Sequence, residues 1–204
     1  AAGQTECLRL LIDAKADIEA KENGDHTALM LAAQMNFVEC LQLLIDAKAD
    51  IHARDVESRR TALMLAALGD ETECMALLIG AKADINARDG RGGTALMTAA
   101  SLGRTGCVPM LIDAKADIQV QDNNGRTALM LAAQLGAMKC AQLLLNAKAD
   151  IEAKDNDGCT ALMLATRKGN TGCVKLLANA GTRAARQAKR KRRRTSVAST
   201  PRDE

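Results

Sequence analysis

The sequence repeats itself with a period of 33 residues over most of its length. The segment Thr-Ala-Leu-Met begins at Thr27, Thr61, Thr94, Thr127 and Thr160, with spacings of 34, 33, 33 and 33 residues. A second segment, Ala-Lys-Ala-Asp-Ile, recurs with the same period. A fixed period of this length is typical of a solenoid, in which each copy of a small unit buries its apolar face against the next copy. The chain is therefore predicted to form an extended surface rather than an enclosed pocket.

Each repeat contains two short helical patterns and a polar loop. In the copy at Thr127, the threonine can cap a first helix, Gly136 ends that helix, and residues 138–146 have the apolar spacing of a second helix. Isolated helices shorter than about 12 residues are marginal in water, so stacking has to supply the burial. We predict five helix pairs that open at the five threonines, a lone helix near residues 5–14 and no sheet. The polar loops, here called fingers 1 to 5, are residues 21–26, 54–60, 88–93, 121–126 and 154–159.

The pattern of the repeats resembles the ankyrin repeat. The fourth copy carries the family residues Asp122, Gly125, Thr127, Leu129, Ala132, Ala133, Gly136, Leu144, Leu145, Ala149, Asp150 and Ile151. The similarity extends from residue 4 to about residue 181. It implies an all-α ankyrin-repeat solenoid over residues 1–181, with a partial first repeat and five repeats from about 21, 54, 88, 121 and 154. Residues 182–204 are expected to form a basic, disordered tail.

The repeats depart from the family pattern in a systematic way. The family histidine is Met at 30, 64, 97, 130 and 163, and the family glycine after the second helix is Lys at 15, 48, 82, 115 and 148. If those lysines keep the left-handed conformation of a glycine, each costs on the order of 1 kcal/mol. The glycine returns only at Gly181. Finger 2 has one extra residue and no glycine, so its shape is predicted to differ.

The two ends of the array are predicted to differ as well. The chain opens directly on a second-helix pattern over residues 7–12, so we expect a fragment of a longer array with an uncovered apolar face. At the other end, Ala178 replaces the bulkier Ile or Leu of the earlier copies. A smaller side chain there is typical of a terminal repeat.

No catalytic motif is found in the sequence, and the chain is predicted not to be an enzyme and to need no cofactor. Its single aromatic residue is Phe37. A metal site is not predicted, because no Cys-x-x-Cys pair exists and His26 and His52 are far apart in sequence. The sequence also contains no run approaching the roughly 18 apolar residues of a membrane span.

Six of the seven cysteines recur with the repeat and are predicted to be buried: Cys7, Cys40, Cys74, Cys107, Cys140 and Cys173. Stacked helices lie about 8–10 Å apart, whereas a disulfide needs Cα atoms within about 7 Å, so these thiols are predicted to stay reduced. Cys159, in finger 5, is predicted to be exposed, either as a reactive thiol or as a variable loop residue. Free thiols favour a reducing compartment, either the cytoplasm or the nucleus.

The end of the chain is strongly basic. Residues 181–204 contain nine Lys and Arg and two Asp and Glu, a balance of +7; the whole chain is +3, so residues 1–180 sum to −4. The run Lys189, Arg190, Lys191, Arg192, Arg193 and Arg194 resembles a nuclear localisation signal, which would bind an import receptor. Contact with nucleic acid or an acidic membrane, or a merely solvated terminus, are the alternatives. Ser196 and Thr200 are candidate phosphorylation sites, where a phosphate would offset the positive charge.

The ankyrin resemblance implies a monomeric protein–protein interaction scaffold that binds its partner on the concave face. The positions mapped onto that face are Asn23, His26, Gln34, Met35, Arg60, Leu68, Arg91, Ser101, Leu102, Asn123, Asn124, Arg126, Gln134, Leu135, Asn156, Asp157, Cys159, Arg167 and Lys168. Among them the apolar Met35, Leu68, Leu102 and Leu135 are the stronger candidates, and many others could be simply solvated. The alternatives are a nuclear, nucleic-acid-associated protein that acts through the tail, and a non-catalytic arm of a larger enzyme or channel.

Overall fold

The computed structural model describes residues 2–22 and 25–183, which form eleven helices and no strand. The helices are α1 (Ala2–Asp13), α2 (Ala28–Gln34), α3 (Val38–Asp46), α4 (Ala62–Gly69), α5 (Thr72–Gly80), α6 (Ala95–Ser101), α7 (Cys107–Asp113), α8 (Ala128–Leu135), α9 (Met138–Asn146), α10 (Ala161–Arg167) and α11 (171–183). An isolated antiparallel bridge joins Lys21 to Thr27. The prediction of a lone helix followed by five helix pairs is confirmed.

The helices stack in two rows, and each helix contacts mainly its own repeat and the adjacent repeats. The first helices α2, α4, α6, α8 and α10 form one row, and the second helices α1, α3, α5, α7 and α9 form the other. The first helices pack more closely on one another than the second helices do. Paired alanines such as Ala99 and Ala100 are fully buried between first helices, where their small side chains allow this close approach.

Threonine begins every first helix, as the sequence predicts. The hydroxyl oxygens of Thr27, Thr94, Thr127 and Thr160 each accept a hydrogen bond, 3.3–3.4 Å long, from the backbone N–H three residues later. Thr61 makes no such bond, and its buried Oγ1 has no hydrogen-bond partner among the described residues.

The methionines that replace the family histidine stay close to the helix start. In the last two repeats, the sulfur of Met130 or Met163 accepts a hydrogen bond from the threonine N–H at 3.5 Å. The methionine therefore keeps a weak polar contact at this position in addition to its apolar packing.

The lysines after the second helices have the left-handed backbone that the family glycine would have. Their φ angles are 57° at Lys15, 67° at Lys48, 68° at Lys82, 67° at Lys115 and 67° at Lys148. In each repeat this turn lets the lysine N–H and the next N–H bind carbonyl groups at the helix end, for example at 3.0 Å for both Lys82 and Ala83. The turn thus satisfies carbonyls that a helix end leaves unpaired.

The ends of the array depart from the prediction in two respects. Cys7 is exposed rather than buried, because α1 packs mainly against α3 and leaves Leu10 and Leu11 61% and 55% exposed. On α10, Leu162 and Met163 are 37% and 56% exposed, so this face retains apolar area that the sequence reading did not anticipate. The helix α11 continues past Gly181 to residue 183, and the basic tail beyond it lies outside the described residues.

Candidate protein-binding surface

The fingers form a continuous hydrogen-bonded row along one side of the array. The first residue of each finger donates a side-chain hydrogen bond to the backbone carbonyl of its counterpart in the next finger. These bonds run from Lys21 to Arg54 (3.5 Å), from Arg54 to Arg88, from Arg88 to Gln121 (2.6 Å) and from Gln121 to Lys154 (2.9 Å). The repeated spacing of these donors therefore builds a surface in which every finger is held by the next one.

A second set of bonds joins the finger tips through their backbones. The N–H of Gly90 donates to the carbonyl of Ser58 at 2.8 Å, that of Asn123 to Arg91 at 2.9 Å, and that of Asn156 to Asn124 at 3.0 Å. The tips are thereby fixed relative to one another, so side chains carried on different fingers keep a constant spacing.

One aspartate in each of fingers 2 to 5 binds the backbone of its own loop. One oxygen of Asp89 accepts from the backbone N–H groups of Arg91 at 2.9 Å and Gly93 at 2.7 Å. In finger 4, Asp122 also forms an ion pair with Arg126 at 2.8 Å. The hydrogen-bonding capacity of these carboxylates is used within the fingers, and each keeps its negative charge.

The inserted residue changes the shape of finger 2, as predicted. Ser58 takes the tip position that Arg91 has in finger 3, while Val56 is 63% exposed. Arg59 has the left-handed φ of 57° where finger 3 has Gly92 at 76°. The longer loop is closed by Asp55, which is only 3% exposed and whose oxygens accept from Ser58 N at 2.6 Å and Ser58 Oγ at 2.7 and 2.9 Å.

The environment of Asp55 keeps it ionised at neutral pH. Burial alone would raise its pKa, but hydrogen bonds from the Ser58 side chain and from the backbone of Ser58, Arg60 and Arg59 outweigh burial and lower the pKa below its ordinary value. The negative charge of Asp55 is thus held by the loop that it closes.

Five of the predicted binding residues meet in one open cleft of about 360 Å³ between fingers 1 to 3 and helices α2 and α4. This concave cleft is lined by the predicted His26, Gln34, Arg60, Leu68 and Arg91, together with Asp55, Glu57, Ser58 and Leu65. The sequence reading missed the last four. The insertion in finger 2 was the signal that could have pointed to three of them, because it pushes an additional segment of loop towards the cleft.

Two arginines of the concave cleft have no acidic partner. In the part of the chain that the structure describes, neither Arg60 nor Arg91 forms an ion pair, and the buried Nε of Arg60 lacks a hydrogen-bond partner. The Nδ1 atom of His26 lies 3.8 Å from a carboxylate oxygen of Glu22, beyond hydrogen-bond distance. No ion pair within the described residues therefore offsets the positive charge of Arg60 or Arg91.

The predicted apolar residues divide into two groups. Met35, Leu102 and Leu135, at the ends of first helices, are 60%, 47% and 60% exposed. Leu68 is one position earlier in its repeat; it is half-buried and lines the concave cleft. These three exposed residues lie outside that cleft. Leu102 and Leu135 belong to later repeats, and Met35 directly follows α2.

The remaining predicted residues are not brought into the concave cleft. They are Met35, Ser101, Leu102, Asn123, Asn124, Arg126, Gln134, Leu135, Asn156, Asp157, Cys159, Arg167 and Lys168. Some of them hold the fingers together: the side-chain amide of Asn156 donates to Asn123 at 3.1 Å, and Arg126 is paired with Asp122. Cys159 is half-buried rather than exposed. Asn23, the run 189–194, Ser196 and Thr200 lie outside the described residues.

The comparison with protein families agrees with this architecture. The family model for ankyrin repeats matches in three copies, over residues 1–55, 52–122 and 106–188. The chain belongs to the ankyrin repeat family. No curated protein matches it. Ankyrin repeats are generally non-catalytic modules for protein–protein interaction, so protein partners in general are implied for this ankyrin array.

No group of three or more His, Cys, Asp or Glu side chains within residues 2–22 and 25–183 is arranged to hold a metal ion. None of the helices in those ranges has the length and apolar character needed to cross a membrane.

Proposed function

We propose that this ankyrin array is a scaffold that binds a partner protein in and around the concave cleft. The observation that carries the proposal is the meeting of His26, Arg60 and Arg91, from three different repeats, at one cleft. Such a surface recognises an extended segment or a protruding loop, because its contacts are spread over several fingers and first helices.

The row of finger hydrogen bonds supports this function energetically. Binding to a preorganised surface loses less conformational entropy than binding to mobile loops, so more of the contact energy appears as affinity. The exposed Leu102 and Leu135 extend the same side of the array with apolar area that a partner could cover.

A pair of matched tryptophan substitutions tests the site. Gln34→Trp fills the concave cleft, whereas Gln142→Trp adds the same bulk at an exposed glutamine on the second helix α9. Quantitative affinity capture with the full chain from the source cells should lose a specific set of proteins with Gln34→Trp and retain it with Gln142→Trp. Identical captured proteins for both variants and the parent would contradict binding at this cleft.

For the tail, we propose nuclear import through residues 189–194, in keeping with the reducing compartment that the free cysteines favour. Six consecutive cations are the supporting observation. A reporter too large to diffuse through the nuclear pore, fused to residues 182–204, should accumulate in the nucleus. Accumulation should be lost when Lys191, Arg192, Arg193 and Arg194 are changed to alanine. A reporter that stays in the cytosol in both forms would instead favour a nucleic-acid contact or a solvated terminus.

A further inference from the structure

We propose that the concave cleft selects an acidic peptide segment, one in which carboxylate side chains flank an aliphatic residue. This inference rests on the proposed scaffold function and specifies the chemistry of the partner. It is carried by the arginines of fingers 2 and 3 and by the hydrogen bonds that Asp55 and Asp89 accept within their own fingers.

Fingers 2 and 3 carry five arginines within a domain whose residues 1–180 sum to −4: Arg54, Arg59, Arg60, Arg88 and Arg91. Arg54 and Arg88 donate to backbone carbonyls of the next fingers, which are neutral acceptors and leave the positive charge in place. The cluster is therefore a local positive region on an otherwise acidic array.

The acids of the same two fingers offset this cluster only in part, since five arginines stand against three acids, a balance of +2. Asp55 is 3% exposed and binds Ser58, and Asp89 binds the backbone of Arg91 and Gly93. Of the three finger acids, Glu57 alone is exposed at the cleft. The remaining balance of these two fingers is positive, and complementary charge in a partner would favour both correct orientation and fast association.

Arg60 and Arg91 are placed to bind carboxylates directly. A guanidinium offers five N–H donors in a planar fork that matches a carboxylate, and such charge-assisted bonds are about twice as strong as neutral ones. Within the described residues neither side chain forms an ion pair, so both charges are available to a carboxylate of a partner.

The rest of the lining favours a peptide over a nucleic acid. The half-buried Leu68 provides a small apolar floor that suits an aliphatic side chain, whereas Leu65 is only 2% exposed. No aromatic side chain lines this cleft for base stacking. An alternation of acidic and aliphatic side chains is complementary to both the arginines and the leucines.

The test uses the full chain with residues 189–194 changed to glutamine, so that the tail does not bind the probe. The probe is a short fluorescein-labelled peptide of glutamates that flank one leucine, with a glutamine-for-glutamate version as its control. In this background, Arg60→Gln with Arg91→Gln is compared with Lys139→Gln with Lys175→Gln, which removes the same charge from exposed positions on second helices. Circular dichroism melting confirms that each variant is folded.

We expect Kd for the glutamate peptide to rise about tenfold in the arginine variant and to stay within about twofold in the lysine variant. The glutamine peptide should bind weakly to all of them. No saturable binding of the glutamate peptide, or equal binding by both double variants, would overturn the inference. Tighter binding of a single-stranded oligothymidylate that is lost in the arginine variant would also overturn it, in favour of nucleic acid.

The outcomes separate this inference from the scaffold proposal. If the captured proteins are lost with Gln34→Trp but kept with Arg60→Gln and Arg91→Gln, the scaffold function stands and acidic selectivity fails. If Gln34→Trp leaves the captured proteins unchanged, binding at the cleft fails for any partner, whatever its charge.

Discussion

At the scale of single residues, the lysine row is the most unusual feature of this array. Each lysine has a left-handed backbone that favours glycine, and the same residue recurs in five successive turns. The conformation persists because the turn lets two N–H groups bind carbonyls at the end of the second helix. The strain is on the order of 1 kcal/mol per residue, and a lysine near a helix C-terminus recovers part of it through the helix dipole.

Replacing one lysine by glycine should therefore stabilise the protein. Lys82→Gly relieves the strain at φ 68°, and we expect up to about 1 kcal/mol of added unfolding free energy, reduced by the greater entropy of glycine in the unfolded chain. Lys139→Gly, inside α9, is the matched control and should lose about 1 kcal/mol. Urea denaturation measures both. A Lys82→Gly protein less stable than the parent would show that the lysine side chain itself stabilises the folded state.

The buried thiols make stability and reactivity depend on pH. Burial, with nearby acidic groups, raises the pKa of Cys74 to about 11, and burial together with Asp70 raises that of Cys107 to about 12, against an ordinary value of 9.0. Above that ordinary value, thiols of the unfolded chain ionise while these two stay protonated in the folded state. Folding stability should therefore be fully present below pH 9 and fall as the pH rises beyond it.

The measurement is the unfolding free energy of the protein as a function of pH. We expect Cys107→Ala to reduce the loss of unfolding free energy near pH 10 by about 1 kcal/mol. Cys7→Ala, at an exposed position, is the control and should leave the slope unchanged. In a native thiol-labelling experiment, Cys7 and the half-buried Cys159 should react well before Cys74 and Cys107. Uniform labelling of all seven would contradict the burial that the structure assigns.

At the scale of elements, the first helices all begin with Ala-Leu-Met after a threonine, but they do not all have the same N-cap hydrogen bond. Thr94 accepts a hydrogen bond from the N–H of Met97 at 3.3 Å, whereas the buried hydroxyl of Thr61, after the long finger 2, is unpaired among the described residues. We expect Thr94→Val to lose about 1 kcal/mol of unfolding free energy, because valine removes the cap.

Thr61→Val should be neutral or stabilising, because a methyl group then replaces a buried hydroxyl that has no partner. Thermal and urea unfolding of the two isosteric variants provide the comparison. Equal losses for both substitutions would mean that the Thr61 hydroxyl is satisfied in solution, contrary to the geometry of finger 2.

At the scale of the whole molecule, the local stability of each helix depends on the neighbouring helices that it packs against. Helix α6 packs against both α4 and α8, whereas α1 packs mainly against α3. In a solenoid, each repeat is stabilised by its own fold and by the interfaces with adjacent repeats. Hydrogen exchange should therefore be slow at Ala99 and Ala100 in α6 and much faster at Leu10 and Leu11 in α1. Similar protection in both helices would indicate that α1 has a further partner or that the array unfolds as one unit.

The sequence was sufficient to predict most of the array and five of the nine residues that line the concave cleft. Period, helix pairs, threonine starts and the core could be read directly, because each repeat makes the same local interactions. The cleft depends on contacts between fingers, and its lining by Asp55, Glu57 and Ser58 follows from a single inserted residue. The exposure of Cys7 was missed for a related reason, since the repeat pattern describes a residue with neighbours on both sides, whereas α1 packs mainly against α3.

The sequence by itself determined the all-helical repeat architecture, the positions of the turns and the ankyrin family, because these follow from residue spacing and local backbone preference. Only the tertiary structure decided which charges remain available. It shows Asp55 and Asp89 occupied by their own loops, Arg126 paired with Asp122, and Arg60 and Arg91 without acidic partners in the described residues. The physical reason is that the available charge depends on which side chains and backbone groups meet when each finger folds, and residue spacing alone does not specify these contacts.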